Sequence, residues 1–193
     1  MIHRRLFQEL HKRLGTKKAL ILIGPRQVGK TTLIKALIQN DEVLFLNGDD
    51  PTVRSLLLEV NTEQLRQIIG KAKYVFIDEA QRIENIGLTL KLITDQINSC
   101  QLLVSGSSAF ELKNATNEPL TGRKWEYQLF PIAWSEFEQY VGYLKAEQLI
   151  ETRLIYGFYP EVITEVGQER EILMQLSESY LYKDLLLMGA KIK

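Results

Sequence analysis

The chain has 193 residues, 45% of them hydrophobic and 25% charged, and its 24 basic and 24 acidic side chains cancel. This profile excludes a collagenous, low-complexity or disulfide-stapled chain, and it fits a soluble globular protein of one domain with at most a small appendage. A single cysteine, Cys100, cannot form an internal disulfide, and two histidines, His3 and His11, cannot assemble a conventional zinc site, so a reducing, cytosolic setting is the simplest reading.

The first segment, Ile2 to Leu14, spaces Ile2, Leu6, Leu10 and Leu14 as one face of a helix, with Arg4, Arg5, Lys12 and Arg13 largely on the other. It reads as an amphipathic strap helix. Arg4, Arg5 and Glu9 stand where a signal peptide needs an apolar core, and no stretch approaches the length of a membrane span, so neither export nor a membrane partner is expected. The zero net charge hides an asymmetry: residues 1–40 hold nine Lys/Arg against Glu9 alone. A basic helix beside an anion-binding loop explains this most simply; a nucleic-acid or acidic-partner surface is the sharper alternative.

Ala19 to Ile23 is a continuous apolar run of strand length, suited to a central parallel strand covered on both faces, and Gly24 ends it. From Thr31 to Asn40 the residues Leu33, Ile34, Leu37 and Ile38 share one face of a helix packed on a sheet. Further strands are expected at Val43 to Leu46, Tyr74 to Ile77 and Leu102 to Ser105, separated by helical stretches near Thr52 to Ile69 and Gly87 to Ser99. That alternation implies an α/β fold with a parallel sheet. Trp125 to Leu129 alternates apolar and polar residues, as a half-exposed edge strand does. After Pro131, Trp134 to Leu187 reads as helices broken at Gly157 to Pro160, a small helical lid. The expected division is therefore a core over 1–131 and a lid over 132–193. Trp134, Phe137, Tyr140, Phe158 and Tyr159 read as lid core rather than base-stacking platforms. Ile172, Leu176 and Tyr180 share a helical face that runs on into Leu185, Leu186, Leu187 and Met188. That apolar end either packs back on the lid or leads into a further domain of a longer design, and the second reading is favoured.

Gly24-Pro25-Arg26-Gln27-Val28-Gly29-Lys30-Thr31 places two glycines five positions apart, then a lysine and a hydroxyl residue, after a strand and at the opening of a helix that continues with Thr32. Glycines let the backbone curl so that successive N–H groups face a phosphate chain, and the helix start adds its partial positive charge. In such a loop Lys30 reaches the β and γ phosphates of a nucleotide and Thr31 offers its hydroxyl to Mg²⁺.

Tyr74-Val75-Phe76-Ile77 runs into the adjacent acids Asp78 and Glu79. Asp78, at the carboxyl edge of the sheet, is expected to hold Mg²⁺ through its water shell, and Glu79 to polarise an attacking water. The next strand ends in Ser105-Gly106-Ser107-Ser108, where a small polar side chain can sit between the γ phosphate and that water. Ser107 is the first choice, with Ser105 and Ser108 as near alternatives and a serine-capped helix start as the competing view. Arg123 stands before the half-exposed strand and reads either as a plain surface arginine or as an arginine finger, supplied in some systems by a neighbouring molecule. Asp49-Asp50-Pro51 is explained as a helix N-cap followed by proline at the first helical position.

The ordered set of Gly24 to Thr32, Asp78-Glu79-Ala80-Gln81, Ser105 to Ser108, Leu120 to Arg123 and Tyr156 to Glu161 resembles the prokaryotic AAA-superfamily ATPases, in the branch whose chains usually continue into a second domain of unknown function. The resemblance spans essentially the whole chain. It implies a three-layer P-loop NTPase with a five-stranded parallel sheet of order 5-1-4-3-2 and a helical lid, binding of ATP and Mg²⁺, and hydrolysis. It assigns nucleotide contacts to Gly24 through Thr32, metal contacts to Thr31 and Asp78, the base to Glu79, the sensor to Ser107 and the finger position to Arg123. The usual second domain is absent from this sequence, and no convincing lid arginine stands out beyond Arg153 and Arg170.

The leading expectation is thus an ATPase that turns hydrolysis into a conformational change of a partner or of a missing domain, with a homo-oligomer or another protein as the partner. A nucleotide-dependent switch with negligible turnover is the non-enzymatic alternative. A phosphate-loop kinase would need more lid arginines than Arg153 and Arg170, and a GTPase would need an Asn-Lys-x-Asp motif that does not occur.

Overall fold

The structure, a computed structural model, describes residues 2–39, 41–107, 116 and 119–178. Three of the apolar runs become strands buried along their whole length: β1 (Ala19–Ile23), β3 (Tyr74–Asp78) and β4 (Gln101–Gly106). Two further strands, β2 (Val43–Asn47) and β5 (Lys124–Gln128), are partly exposed and form the edges. All pairings are parallel, in the order β2-β3-β4-β1-β5, which is the expected 5-1-4-3-2 read from the other edge. A parallel sheet needs helices on both faces, because its crossovers lie there.

Those crossovers are α2 (Lys30–Leu37), the pair α3 (Pro51–Leu57) and α4 (Thr62–Ile69), and α5 (Ile86–Gln96), with α1 (Leu6–Arg13) preceding β1. On one face Ile21, Ile23, Val75, Ile77 and Val104 pack with Leu57, Leu65, Ile86, Leu90 and Ile93 from α3, α4 and α5. Side chains alternate across a strand, so Leu20 and Leu22 serve the opposite face. The register puts Ile23, Asp78 and Gly106 together at the carboxyl edge of neighbouring strands, and this is where the phosphate-loop motif begins.

Two helix expectations are corrected. The stretch near Thr52 to Ile69 is two helices, because Asn61 accepts from Gln64 N–H at 2.9 Å while the Gln64 side chain accepts from Asn61 N–H at 3.0 Å, a reciprocal cap that starts a new helix. The strap helix begins only at Leu6; Leu10 is its buried residue, while Ile2 packs with Ile132 and Phe137 elsewhere. Asp50 caps α3 through Thr52 N–H at 2.7 Å, with Pro51 at the first helical position, as its sequence implies.

The chain divides into two compact units, one of residues 4–130 and the other of residues 2–3 with the described part of 131–193. The second contains the short helices Trp134–Val141, Tyr143–Gln148, Ile150–Tyr156, Pro160–Thr164 and Glu169–Leu176. Its centre is aromatic: Phe137 and Phe158 meet edge-on at 5.8 Å between centroids, and Trp134 meets Phe158 edge-on at 6.1 Å. Tyr140, by contrast, is exposed and not part of that core. Tyr180 and the apolar run Leu185 to Met188 lie outside the described residues.

Candidate phosphate site

The site is built where β1 turns into α2. Gly29 enters the helix at φ 92°, in the left-handed region, and the first helical bond runs from Leu33 N–H to the Gly29 carbonyl at 2.9 Å. The amides of Lys30, Thr31 and Thr32 therefore lie outside the helical ladder, in the position that favours an anion. Gln27 also takes a positive φ of 59°, Val28 is fully buried and anchors the loop, while Pro25 and Gln27 face outward and Arg26 is half-buried. Lys30 is buried, and its ammonium donates to the carbonyls of Gly24 and Pro25, both at 2.9 Å. Burial lowers its pKa from the ordinary lysine value, while the nearby Glu79 and Asp78 pull it back up.

Asp78 is the hub of the site. Its carboxylate accepts from the Thr31 hydroxyl at 2.7 Å, from the Ser105 hydroxyl, and from the Glu79 N–H at 3.1 Å. A buried carboxylate has to be satisfied in this way or neutralised. The Thr31 and Asp78 oxygens lie side by side at the opening of α2, and a hard oxygen pair of this kind suits Mg²⁺ when phosphates and water complete its shell. Among the described residues no group of three or more His, Cys, Asp or Glu side chains is arranged to hold a metal ion.

Glu79 breaks the strand. Its backbone sits in the left-handed region at φ 48°, ψ 42°, an uncommon state for a side chain of its size. Its carboxylate accepts from the Gln81 amide at 2.6 Å, and the same nitrogen donates to the Ser107 hydroxyl at 2.9 Å. Gln81 thus joins the two residues read as base and sensor. Of the three serines considered, Ser105 is wholly buried and committed to Asp78, Ser107 is half-buried beside Gln81, and Ser108 lies outside the described residues.

Arg123 is not brought to this site within the chain. It precedes β5 at the start of the sheet: Ala19 N–H donates to its carbonyl at 2.9 Å, and its guanidinium pairs with Asp95 at 2.5 Å. The phosphate loop lies beyond the other end of β1, about 16 Å of strand away. Of the lid arginines, Arg153 is consumed internally, donating to the Val162 carbonyl at 3.1 Å and pairing with buried Glu169 at 3.3 Å, and Arg170 is exposed.

Sequence reasoning missed three contributors. In the sequence Gln81 stands out only as part of a motif and Ser105 only as an alternative sensor, and Gly48 carries no signal. Gly48 follows β2, donates its N–H to the Asp78 carbonyl at 2.8 Å, and would place a Cβ 2.4 Å from the Glu79 carbonyl oxygen. The basic N-terminal surface is also smaller than its composition implies. Arg4 and Lys30 are buried, while Arg13 and Lys18 lie over the Trp125 ring at 4.1 and 4.8 Å. Among the described residues no helix is long and apolar enough to cross a membrane.

Comparison with known proteins bears on the family and the fold. A family model described as an AAA domain matches residues 16–138. An uncharacterized protein of Mycobacterium tuberculosis is 28% identical over 115 residues, 59% of this chain and 25% of that protein. The replication factor C large subunit of Pyrococcus horikoshii is 42% identical over 82 residues, 40% of this chain and 18% of that protein. The matched segments thus span a quarter or less of these relatives. Among solved structures, a Walker-type ATPase of Pyrococcus abyssi superposes with a TM-score of 0.67 at 13% identity, covering 100% of this chain and 77% of that one. This last likeness establishes the fold.

The tight approach at Gly48 yields a direct prediction. Gly48→Ala forces the Glu79 carbonyl to move, and chemical denaturation should record a stability loss of about 1–3 kcal/mol; a change below about 0.5 kcal/mol, the ordinary surface range, would mean that the 78–79 segment is not held as described.

Proposed function

The chain belongs to the AAA domain family, and within that family we propose that it hydrolyses ATP and couples the reaction to a conformational change in a partner, a second copy or a further domain. The observation that carries the reading is the Asp78 carboxylate, held against the Thr31 hydroxyl of the phosphate loop at 2.7 Å with Glu79 one residue beyond. ATP would lie with its phosphates over the amides of Gly29 to Thr32 and against the Lys30 ammonium, which exchanges the Gly24 and Pro25 carbonyls for phosphate oxygens. Thr31 and Asp78 are the residues that would hold Mg²⁺, whose contribution is to neutralise charge on the β and γ phosphates.

Glu79 is the proposed base. Its carboxylate takes a proton from water as the water oxygen bonds to the γ phosphorus. The bond from that phosphorus to the β–γ bridging oxygen breaks, giving ADP and inorganic phosphate. Gln81 steers the Glu79 carboxylate through their hydrogen bond and carries the Ser107 hydroxyl with it, so the sensor and the base move as one group. Arg123, at the opposite edge of the sheet, can serve as a finger only for the nucleotide of another molecule.

Two variants separate binding from chemistry. Lys30→Ala should abolish binding of a fluorescent ATP analogue, whereas Glu79→Gln should bind it normally and lose about 10²–10⁴-fold in phosphate release. Full turnover in Glu79→Gln would remove Glu79 as base, and slow turnover in both the wild type and Glu79→Gln would favour a switch with negligible catalysis. For Arg123, activity per molecule should rise with protein concentration in the wild type and lose that rise in Arg123→Ala. A rate per molecule that is independent of concentration, unchanged in the variant, would reject the finger.

A further inference from the structure

Arg4 is 7% exposed although its position in the sequence pattern is on the polar side of the first helix. Its guanidinium donates to two backbone carbonyls far away along the chain, Val28 in the phosphate loop at 2.8 Å and Phe130 just after β5 at 2.6 Å. The guanidinium uses two different nitrogens of a rigid planar fork, Nη1 and Nη2, for the two carbonyls, whereas a lysine carries all its donors on one atom at the end of a flexible stem. Each acceptor lies at a decisive place.

The Val28 carbonyl belongs to the same peptide plane as the Gly29 N–H. No peptide bond among the described residues is cis, so these two groups point in opposite directions. Fixing the Val28 oxygen on Arg4 therefore fixes the direction of the Gly29 amide, the donor at the mouth of α2. Phe130 is the last residue of the first compact unit and Arg4 is its first. The loop's other end is tied to the same place: Leu129 N–H donates to the Ile23 carbonyl at 2.7 Å, and a Cβ on Gly24 would lie 2.2 Å from the Leu129 carbonyl oxygen, so only glycine admits that approach. Both ends of the phosphate loop thus rest on the dipeptide Leu129-Phe130, which leads directly into Pro131.

We propose that Arg4 is a positioning residue that aims the Gly29 amide at bound phosphate and couples phosphate binding in the loop to the Leu129-Phe130 exit from the sheet. The proposal rests on the ATP-binding reading above. By linkage, whatever ordering the nucleotide imposes on the exit, a restrained exit returns as affinity for the nucleotide. The basic residue at position 4 is then a mechanical element of the loop and not part of a nucleic-acid surface.

Hydrogen exchange on the full chain, with and without ATP and Mg²⁺, tests it in the wild type, Arg4→Lys and Arg4→Met. In the wild type ATP should slow exchange in residues 24–32 and at the amides of Leu129 and Phe130. In both variants affinity should fall about tenfold, as expected for coupled sites, and at saturating ATP the loop and Leu129, which Ile23 holds without Arg4, should still respond while Phe130 does not. A merely structural arginine would lower thermal stability and leave the response at Phe130 intact, which would overturn the proposal. If Arg4→Met does not fold, Arg4→Lys, which keeps the charge but lacks the two-nitrogen planar fork, carries the same comparison. A wild type whose loop responds while Leu129 and Phe130 do not would also reject the coupling; a wild type with no response anywhere would reject ATP binding itself.

Discussion

The arrangement depends on one buried carboxylate. Asp78 terminates β3 and collects hydrogen bonds from Thr31 on α2, from Ser105 on β4 and from the Glu79 amide. An anion taken out of water costs several kcal/mol unless its oxygens are satisfied, so the sheet edge, the phosphate-loop helix and the turn after β3 are held in one mutual register by that requirement. The same oxygens are those a divalent ion would use, so structural and chemical demands converge on a single side chain.

The consequences run outward from there. With Asp78 fixed, the chain after it enters the left-handed region at Glu79, and Gly48 must be bare of a side chain to let that turn approach. The turn swings the Glu79 carboxylate towards Gln81, which reaches Ser107 from β4's end. Ser105 lies within β4 and donates to Asp78, whereas Ser107 lies just past the strand's last residue, Gly106, and accepts from Gln81.

Much of the architecture was legible because burial on both faces leaves continuous apolar runs, as in Ala19–Ile23 and Tyr74–Asp78, and half-burial leaves alternation, as in the edge strand around Trp125 and Tyr127. The strand order was not readable from periodicity; it came with the family resemblance, and the sheet has it. Local signals also succeeded at Asp50 and Pro51, where cap and helix start are adjacent in the sequence. Most of what escaped was non-local. A helical wheel puts Arg4 on the polar side because it carries no information that the helix starts at Leu6 or that carbonyls 24 and 126 residues away receive its guanidinium. One local signal escaped as well: the reciprocal cap between Asn61 and Gln64 that starts the helix at Thr62, which apolar spacing does not register. The position of Arg123 follows from the direction of β5, since a residue before a parallel strand sits at the edge away from the loop, and only the three-dimensional pairing with Asp95 makes that plain.

The central claim is that the loop from Gly24 to Thr32 and the Asp78 carboxylate form one site for ATP with a divalent ion. Titration calorimetry of the purified chain with ATP, once with Mg²⁺ and once with the metal chelated, addresses it most directly. The account predicts saturable heat with one ATP per chain and clearly weaker binding without Mg²⁺. A folded protein that gives no saturable heat, or the same affinity with and without the metal, would contradict it.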